Sequence, residues 1–271
     1  MKIHKQNFIN KMEEQSMKCL ENQILKILQE LQQNHNIHSV RAEFESEGAR
    51  LEEVLRLRHI AQQANLPLTL KIGGCEAIRD LYDARDLNAV AIIAPMIETA
   101  YAMQKYVQAT HKIFSQDEWN NTQFYINIET KTSIQNLPEI LQSPYFIDVT
   151  GIVIGRVDLV TSLGKTRQEI DSPEIQAMNK NIALQLPVNK ELAIGGGITE
   201  KSLPFLKTIP KLSRTETRKI VFHHVPTPEA LHKASQFELL WLQYKQNHYI
   251  TLSQEDAQRI QLLEQRLQIN H

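Results

Sequence analysis

From about residue 38 onward the chain alternates between two textures. In short runs, apolar and polar residues follow one another singly, which puts successive side chains on opposite faces of a strand. In the longer stretches between them, apolar residues recur every three to four positions, which gathers them on one face of a helix. The strand-like runs are 39–45, 68–72, 89–94, 123–129, 151–155, 192–195 and 215–222, and helical spacing fills segments such as 50–64, 98–113 and 173–186. This βαβα rhythm predicts a parallel sheet with helical crossovers, and over 271 residues it predicts one (β/α)8-type TIM barrel. Seven runs are visible, one short of eight, so an atypical strand count is part of the expectation. Ahead of the barrel, Phe8, Met12, Met17, Leu20, Ile24, Leu28 and Leu31 predict an N-terminal helix within residues 1–34. Behind it, segments 229–247 and 254–270 predict two more helices and make residues 227–271 a C-terminal helical extension. Ser253, three residues before Asp256, is an N-cap signal for the second. No repeat or low-complexity linker divides the chain, so residues 1–271 are expected to form one domain.

Strand parity points to what lies inside. Arg41, Glu43, Glu45 and Glu47 share one face of the first run, against Val40, Ala42 and Phe44. Thr69 and Lys71 oppose Leu68, Leu70 and Ile72, while Tyr125, Asn127 and Glu129 oppose Phe124, Ile126 and Ile128. Glu216 and Arg218 share a face in the last run. In a barrel wrapped by helices the apolar face packs outward and the charged face lines the interior. Buried charge is costly unless paired or bound to a metal. The pattern therefore announces either a polar functional site or a network of structural ion pairs at the barrel mouth.

Glu129 ends one strand and Asp158 follows the next, so both belong to the C-terminal face where barrel enzymes keep their sites. Neighbouring strands lie about 4.8 Å apart, within reach of one ion. Two carboxylates suit a hard divalent cation, Mg²⁺ or Mn²⁺, and leave positions open for substrate. The alternative is a helix-capping carboxylate and a loop carboxylate with no metal. Lys71, at a strand end, can stabilise an enolate oxygen as a cation. With a lowered pKa it can act as a base or form a Schiff base, and otherwise it pairs with Glu43 or Glu45. Gly73 and Gly74 offer backbone N–H groups to an anion, or simply make a tight turn. Arg156 stands beside Asp158, where its charge can meet an anionic substrate. Arg218 and Glu216 either bind a substrate carboxylate or pair with each other. Gly195-Gly196-Gly197 is an anion cradle or a sharp turn, and Glu98 is read as a helix-capping group. His223 and His224, being adjacent, diverge too far to share a metal. Cys75 is read as a small packed side chain.

Composition narrows the function class. Hydrophobic residues make up 42% and charged residues 23%, as in an ordinary globular protein, and the formal net charge of -1 gives no reason to expect nucleic acid or an acidic membrane as partner. Two cysteines do not make a disulfide framework, which favours a reducing cytoplasm. The N-terminus has no apolar signal region, and no apolar run approaches the roughly 20 residues that cross a bilayer.

The wording around the carboxylate pair is more specific. Ile128-Glu129-Thr130-Lys131, Asn136-Leu137-Pro138-Glu139-Ile140-Leu141 and Gly151-Ile152-Val153-Ile154-Gly155-Arg156-Val157-Asp158-Leu159, with Ser162-Leu163-Gly164 behind and Ala94-Pro95-Met96-Ile97-Glu98-Thr99 ahead, resemble the HpcH/HpaI aldolase and citrate lyase family. That family belongs to the phosphoenolpyruvate/pyruvate-type barrels. The resemblance covers about residues 38–165. It implies that Glu129 and Asp158 are metal ligands, that C–C bonds are broken or made through a pyruvate-type or acyl-CoA enolate, and that the chain forms homo-oligomers. Two positions depart from the pattern. The family's Asp/Glu-His pair has its apparent counterpart in Glu43-Phe44-Glu45-Ser46-Glu47, without histidine, and the family arginine at the next strand end is Lys71 here. The expected function is a divalent-metal carbon–carbon lyase or aldolase acting on a small carboxylate through a metal-stabilised enolate. Lys71, Arg41, Arg156, Arg218, Gly73 and Gly74 are expected to serve the substrate, with Glu43, Glu45 or metal-bound water as proton carrier. A Schiff-base aldolase built on Lys71 and a non-catalytic binding member of the fold are the competing readings.

Overall fold

A computed structural model describes residues 2–248 and 253–268, with side chains described from Met17 onward. The elements follow in order: α1 (Lys2–His35), β1 (Ile37–Glu43), α2 (Leu51–Gln63), β2 (Leu68–Lys71), α3 (Ile78–Asp86), β3 (Ala91–Ala94), α4 (Ala100–Ile113), α5 (Gln116–Asn120), β4 (Gln123–Ile128), α6 (Lys131–Gln135) and α7 (Leu137–Gln142). Then come β5 (Gly151–Gly155), α8 (Arg156–Ser162), α9 (Pro173–Gln185), β6 (Glu191–Gly195), α10 (Leu203–Leu206), β7 (Leu212–Glu216), β8 (Ile220–His223), α11 (Pro228–His248) and α12 (Gln254–Leu267). The strands close a barrel in sequence order, β1 through β8.

The missing eighth strand lies inside the run read as one strand over 215–222. That run is the end of β7, a turn at Thr217-Arg218-Lys219, and β8, with the Thr217 amide donating to the Ile220 carbonyl at 2.9 Å. Three residues cannot span a parallel crossover, which needs a dozen or more. β8 therefore runs antiparallel to both β7 and β1, whereas β1 through β7 are parallel to their neighbours.

The parity reading holds for the side chains within the strands. Val40, Ala42, Leu70, Ile126, Ile128 and Ile154 face outward into the main core beneath the helices. Ala91, Ile93, Tyr125, Val153 and Ala193 form a small separate cluster inside the barrel. Glu45 and Glu47 fall beyond β1, which ends at Glu43. The lower end of the barrel is plugged by polar groups. Tyr125 donates its hydroxyl to Glu191 at 2.7 Å, Arg214 pairs with Glu191 at 3.1 Å, and the Arg214 guanidinium lies 4.9 Å above the Tyr125 ring. His38 meets the His223 ring at 5.1 Å beside this plug; burial, then Arg214 and His223, push its pKa down to about 3. A cavity lies at the other, upper end.

α1 packs against α11 and α2, burying Ile24, Leu28 and Leu31 on one helical face. Phe8 and Met12 lie outside the residues whose side chains are described, as does the expected end of the last helix at residue 270. Ser253 caps α12 by accepting from the Asp256 amide at 3.0 Å. Among the described residues, no helix is long and apolar enough to cross a membrane.

Candidate active site

The cavity at the upper end has a volume of about 270 Å³, and Arg41, Glu43, Lys71, Asn127, Glu129, Asp158 and Glu216 are among the residues that line it. They come from β1, β2, β4, the β5–α8 junction and β7, so the barrel's shared inward parity gathers them.

Glu129 is 1% exposed and held from three sides. Its Oε1 accepts from the Met96 amide at 3.0 Å and lies 3.5 Å from the Lys71 Nζ, while its Oε2 accepts from the Asn127 amide group at 2.7 Å. Met96 adopts φ +51, a conformation that costs a non-glycine residue energy, and in it directs its N–H at the carboxylate. Gly155, on the neighbouring strand, makes room: a Cβ there would fall 2.2 Å from Glu129 Oε2. Asp158, half-buried in the first turn of α8, stands on the same side.

Both carboxyls resist ionisation. Burial pushes Glu129 up, and Asp158 adds to the push against the pull of Lys71 and the Met96 amide. Burial pushes Asp158 up as well; Glu45 adds to it, while Lys71 and a hydrogen-bonding contact with Glu129 oppose it. Asn127 Oδ1 is buried without a hydrogen-bond partner among the described residues. Two disfavoured carboxylates beside an unpartnered amide oxygen fit a hard divalent cation, which takes oxygen ligands and would relieve the repulsion. Two carboxylates and one amide oxygen would leave such a cation positions for water or substrate; among the described residues no group of three or more His, Cys, Asp or Glu is arranged to hold a metal.

The charged neighbours divide into roles. Lys71 lies 2.8 Å from Glu45 as well as beside Glu129. Burial opposes its charge, but Glu129, Glu43 and Glu45 outweigh that and raise its pKa. Arg41 pairs with Glu43 and, at 3.2 Å, with Glu216. Glu43 also accepts from Ser46; burial would raise its pKa, yet Arg41, Lys71 and Ser46 bring it down to about 2. So low a value makes Glu43 a poor proton carrier, contrary to expectation. Glu216, fully enclosed and raised by burial against the pull of Arg41 and Arg214, is better poised. Its parity was visible in the sequence; its depth was hidden by reading the β7–β8 hairpin as one strand.

Two other expectations are corrected, and for Arg218 the alternative of pairing with Glu216 is removed. Arg156 is fully buried and donates to the Gly196 carbonyl at 3.0 Å, to Asp171 at 2.7 Å and to Ser202 at 3.2 Å. It braces the loop after β6 and turns away from the cavity. Gly73 gives its amide to Asp80 at 2.6 Å, and neither it nor Gly74 lines the cavity, so these glycines form a turn. Arg218 lines the cavity but pairs with Glu47 at 3.0 Å and Glu255 at 3.1 Å, not with Glu216. Glu98 accepts from Thr130, the N-cap of α6, at 2.7 Å and supports that cap. Cys75 packs against the core, as expected.

Comparison with known proteins bears out the resemblance read from the motifs. Residues 69–194 match the model of the HpcH/HpaI aldolase/citrate lyase family, a segment that contains Lys71, Glu129 and Asp158. The fold is similar to that of an HpcH/HpaI aldolase from Desulfitobacterium hafniense DCB-2 (TM-score 0.53, 12% identity, covering 65% of this chain and 76% of that one). It is also similar to an HpcH/HpaI aldolase/citrate lyase family protein from Burkholderia cenocepacia J2315 (0.52, 16%, 65% and 77%) and to the citrate synthase SbnG (0.54, 16%, 64% and 74%). At such identities the likeness speaks to the fold. No curated protein matches the sequence.

Proposed function

We propose that the protein is a divalent-metal-dependent carbon–carbon lyase or aldolase that acts on a small 2-oxo acid or related carboxylate through an enolate. The observation that carries this reading is the pairing of Glu129 and Asp158 at the barrel mouth, both held above the ordinary carboxylate range beside the free oxygen of Asn127. Those three groups would hold Mg²⁺ or Mn²⁺, which would supply Lewis-acid stabilisation to the substrate's oxygens. The protein's own groups account for the rest. Lys71, kept protonated by its acidic neighbours, offers a fixed positive charge to a substrate carboxylate or enolate oxygen. Arg41 holds Glu216 in place, and Glu216, with its raised pKa, moves the proton. Glu45, bonded to Lys71, orients the ammonium.

The state of Lys71 also weighs against a Schiff-base aldolase, which needs an unprotonated amine. The decisive experiment follows exchange of the pyruvate methyl protons with D₂O by NMR. Exchange should require Mg²⁺ or Mn²⁺, stop with EDTA and vanish in Glu129→Gln. Undiminished exchange in a metal-free sample would sink the proposal, and no exchange with any small 2-oxo acid would favour a non-catalytic member of the fold. Homo-oligomeric assembly and a cytoplasmic setting belong to the same proposal, the former measured by light scattering.

A further inference from the structure

The same cavity has a second, oppositely charged zone. Its floor is acidic, but its rim carries Arg167, Arg218, Arg259 and Arg266. Arg259 is neutralised by Glu238, at 2.5 and 2.8 Å. Arg218 is matched by Glu255, and Glu47, which Arg218 also reaches, is matched by Lys219. The side chains of Arg167 and Arg266 make no ion pair or hydrogen bond with any described residue, which leaves two excess positive charges on the rim. Each is depressed in pKa: burial comes first for both, then Arg259 and Arg218 for Arg167, and Arg259 for Arg266. The guanidinium groups are thus crowded against one another, and Glu238, with Glu255 in the case of Arg167, only partly offsets their repulsion.

The arrangement is built by α12. At 100° per residue, Glu255, Arg259 and Arg266 fall within about 40° of one another on the helix. Asp256, Ile260, Leu263 and Leu267 form an adjoining stripe centred about 90° away. The second stripe packs on Leu239 and Leu242 of α11, with Leu263 fully buried and Asp256 bonded to Lys245 at 3.0 Å. Docking by one stripe fixes the other toward the cavity. Arg167 joins the lining from the short turn that follows α8.

We propose that this rim is a phosphate subsite, in which Arg167 and Arg266 take the phosphate-monoester end of a substrate whose other end reacts at the floor. Two unmatched guanidinium forks fit a dianion with several acceptor oxygens better than a single carboxylate. The assignment rests on the proposed function only for where the reacting end lies.

The test is calorimetric titration of the full chain with inorganic phosphate, and separately with malonate, in EDTA at low ionic strength. Wild type should bind one phosphate saturably and bind malonate more weakly. Arg167→Gln/Arg266→Gln should weaken phosphate by at least about 10-fold with an unchanged melting temperature. Glu129→Gln should bind phosphate as wild type does. Absence of saturable phosphate binding, equal affinity in the double variant, or tighter binding of malonate would each overturn the proposal. Phosphate binding without any metal-dependent proton exchange would support the rim subsite while overturning the reading of the floor.

Discussion

A methyl group on Gly155 would stand 2.2 Å from Glu129 Oε2 and 2.7 Å from its Cβ, so Gly155→Ala must displace that carboxylate. If Glu129 is a metal ligand as proposed, shifting it should cost at least what losing a ligand's supporting partner does, about 10–100-fold in affinity. Mn²⁺ binding followed by EPR should fall by that much while circular dichroism stays the same; unchanged affinity would remove Glu129 from the ligand set. Glu43 makes a separate prediction. Its pKa falls from 4.5 to about 2 on folding, so its contribution is complete above pH 4.5 and is lost as pH falls toward 2. Denaturation should find Glu43→Gln less stable than wild type by about 3 kcal/mol at neutral pH, with the gap closing in that window. At this scale the sequence was informative where strand parity and strand ends decide position, as for Glu129, Lys71 and Arg41. It was silent on direction of approach: nothing in Arg156 itself says that its guanidinium turns to Gly196 and Asp171, nor in Met96 that its amide meets Glu129.

Among the elements, the β7–β8 hairpin and α12 set this chain apart from a regular barrel. The hairpin escaped a pattern reading because Thr217-Arg218-Lys219 contains no glycine, proline or asparagine to mark the turn. The threonine hydroxyl serves instead, accepting from the Ile220 amide at 3.1 Å. α12 was legible as a helix, but its place over the cavity depends on tertiary contacts. Lys245 anchors it, lying 3.0 Å from Asp256 and 3.3 Å from Glu53 of α2, with all three largely buried. Lys245→Ala leaves two carboxylates without their cation and should cost about 3 kcal/mol. Limited proteolysis should then cut first at Arg259 or Arg266; cleavage no faster than in wild type would show that α12 is held by its apolar stripe alone.

For the molecule as a whole, metal and pH should act together on stability. Glu129 and Asp158 have folded-state pKa values above their ordinary ones. In the metal-free protein their stabilising contribution is present below the ordinary carboxylate range and is lost as pH rises through the raised values. On the proposed reading Mn²⁺ would need the ionised pair, so its effect should run the other way. At 100 times its Kd it should add about 2.7 kcal/mol, or about 5–10 °C in melting temperature for a chain of this size. That gain should shrink as the pH is lowered through the same window. A gain independent of pH would place the metal elsewhere. The barrel was legible from rhythm and length together, which favour a closed ring of βα units; the Tyr125–Glu191–Arg214 plug was not, because its parts are distant in sequence.

The antiparallel closing strand has a kinetic consequence. β8 pairs with β7 across a three-residue turn, a contact that forms in about 1–10 μs. It pairs on its other side with β1, where Ile37 meets Phe222 across nearly the whole chain. Joining such distant partners is entropically slow. The hairpin is therefore ready long before the ring is, and the last seam to form on refolding should be the one between the first strand and the last.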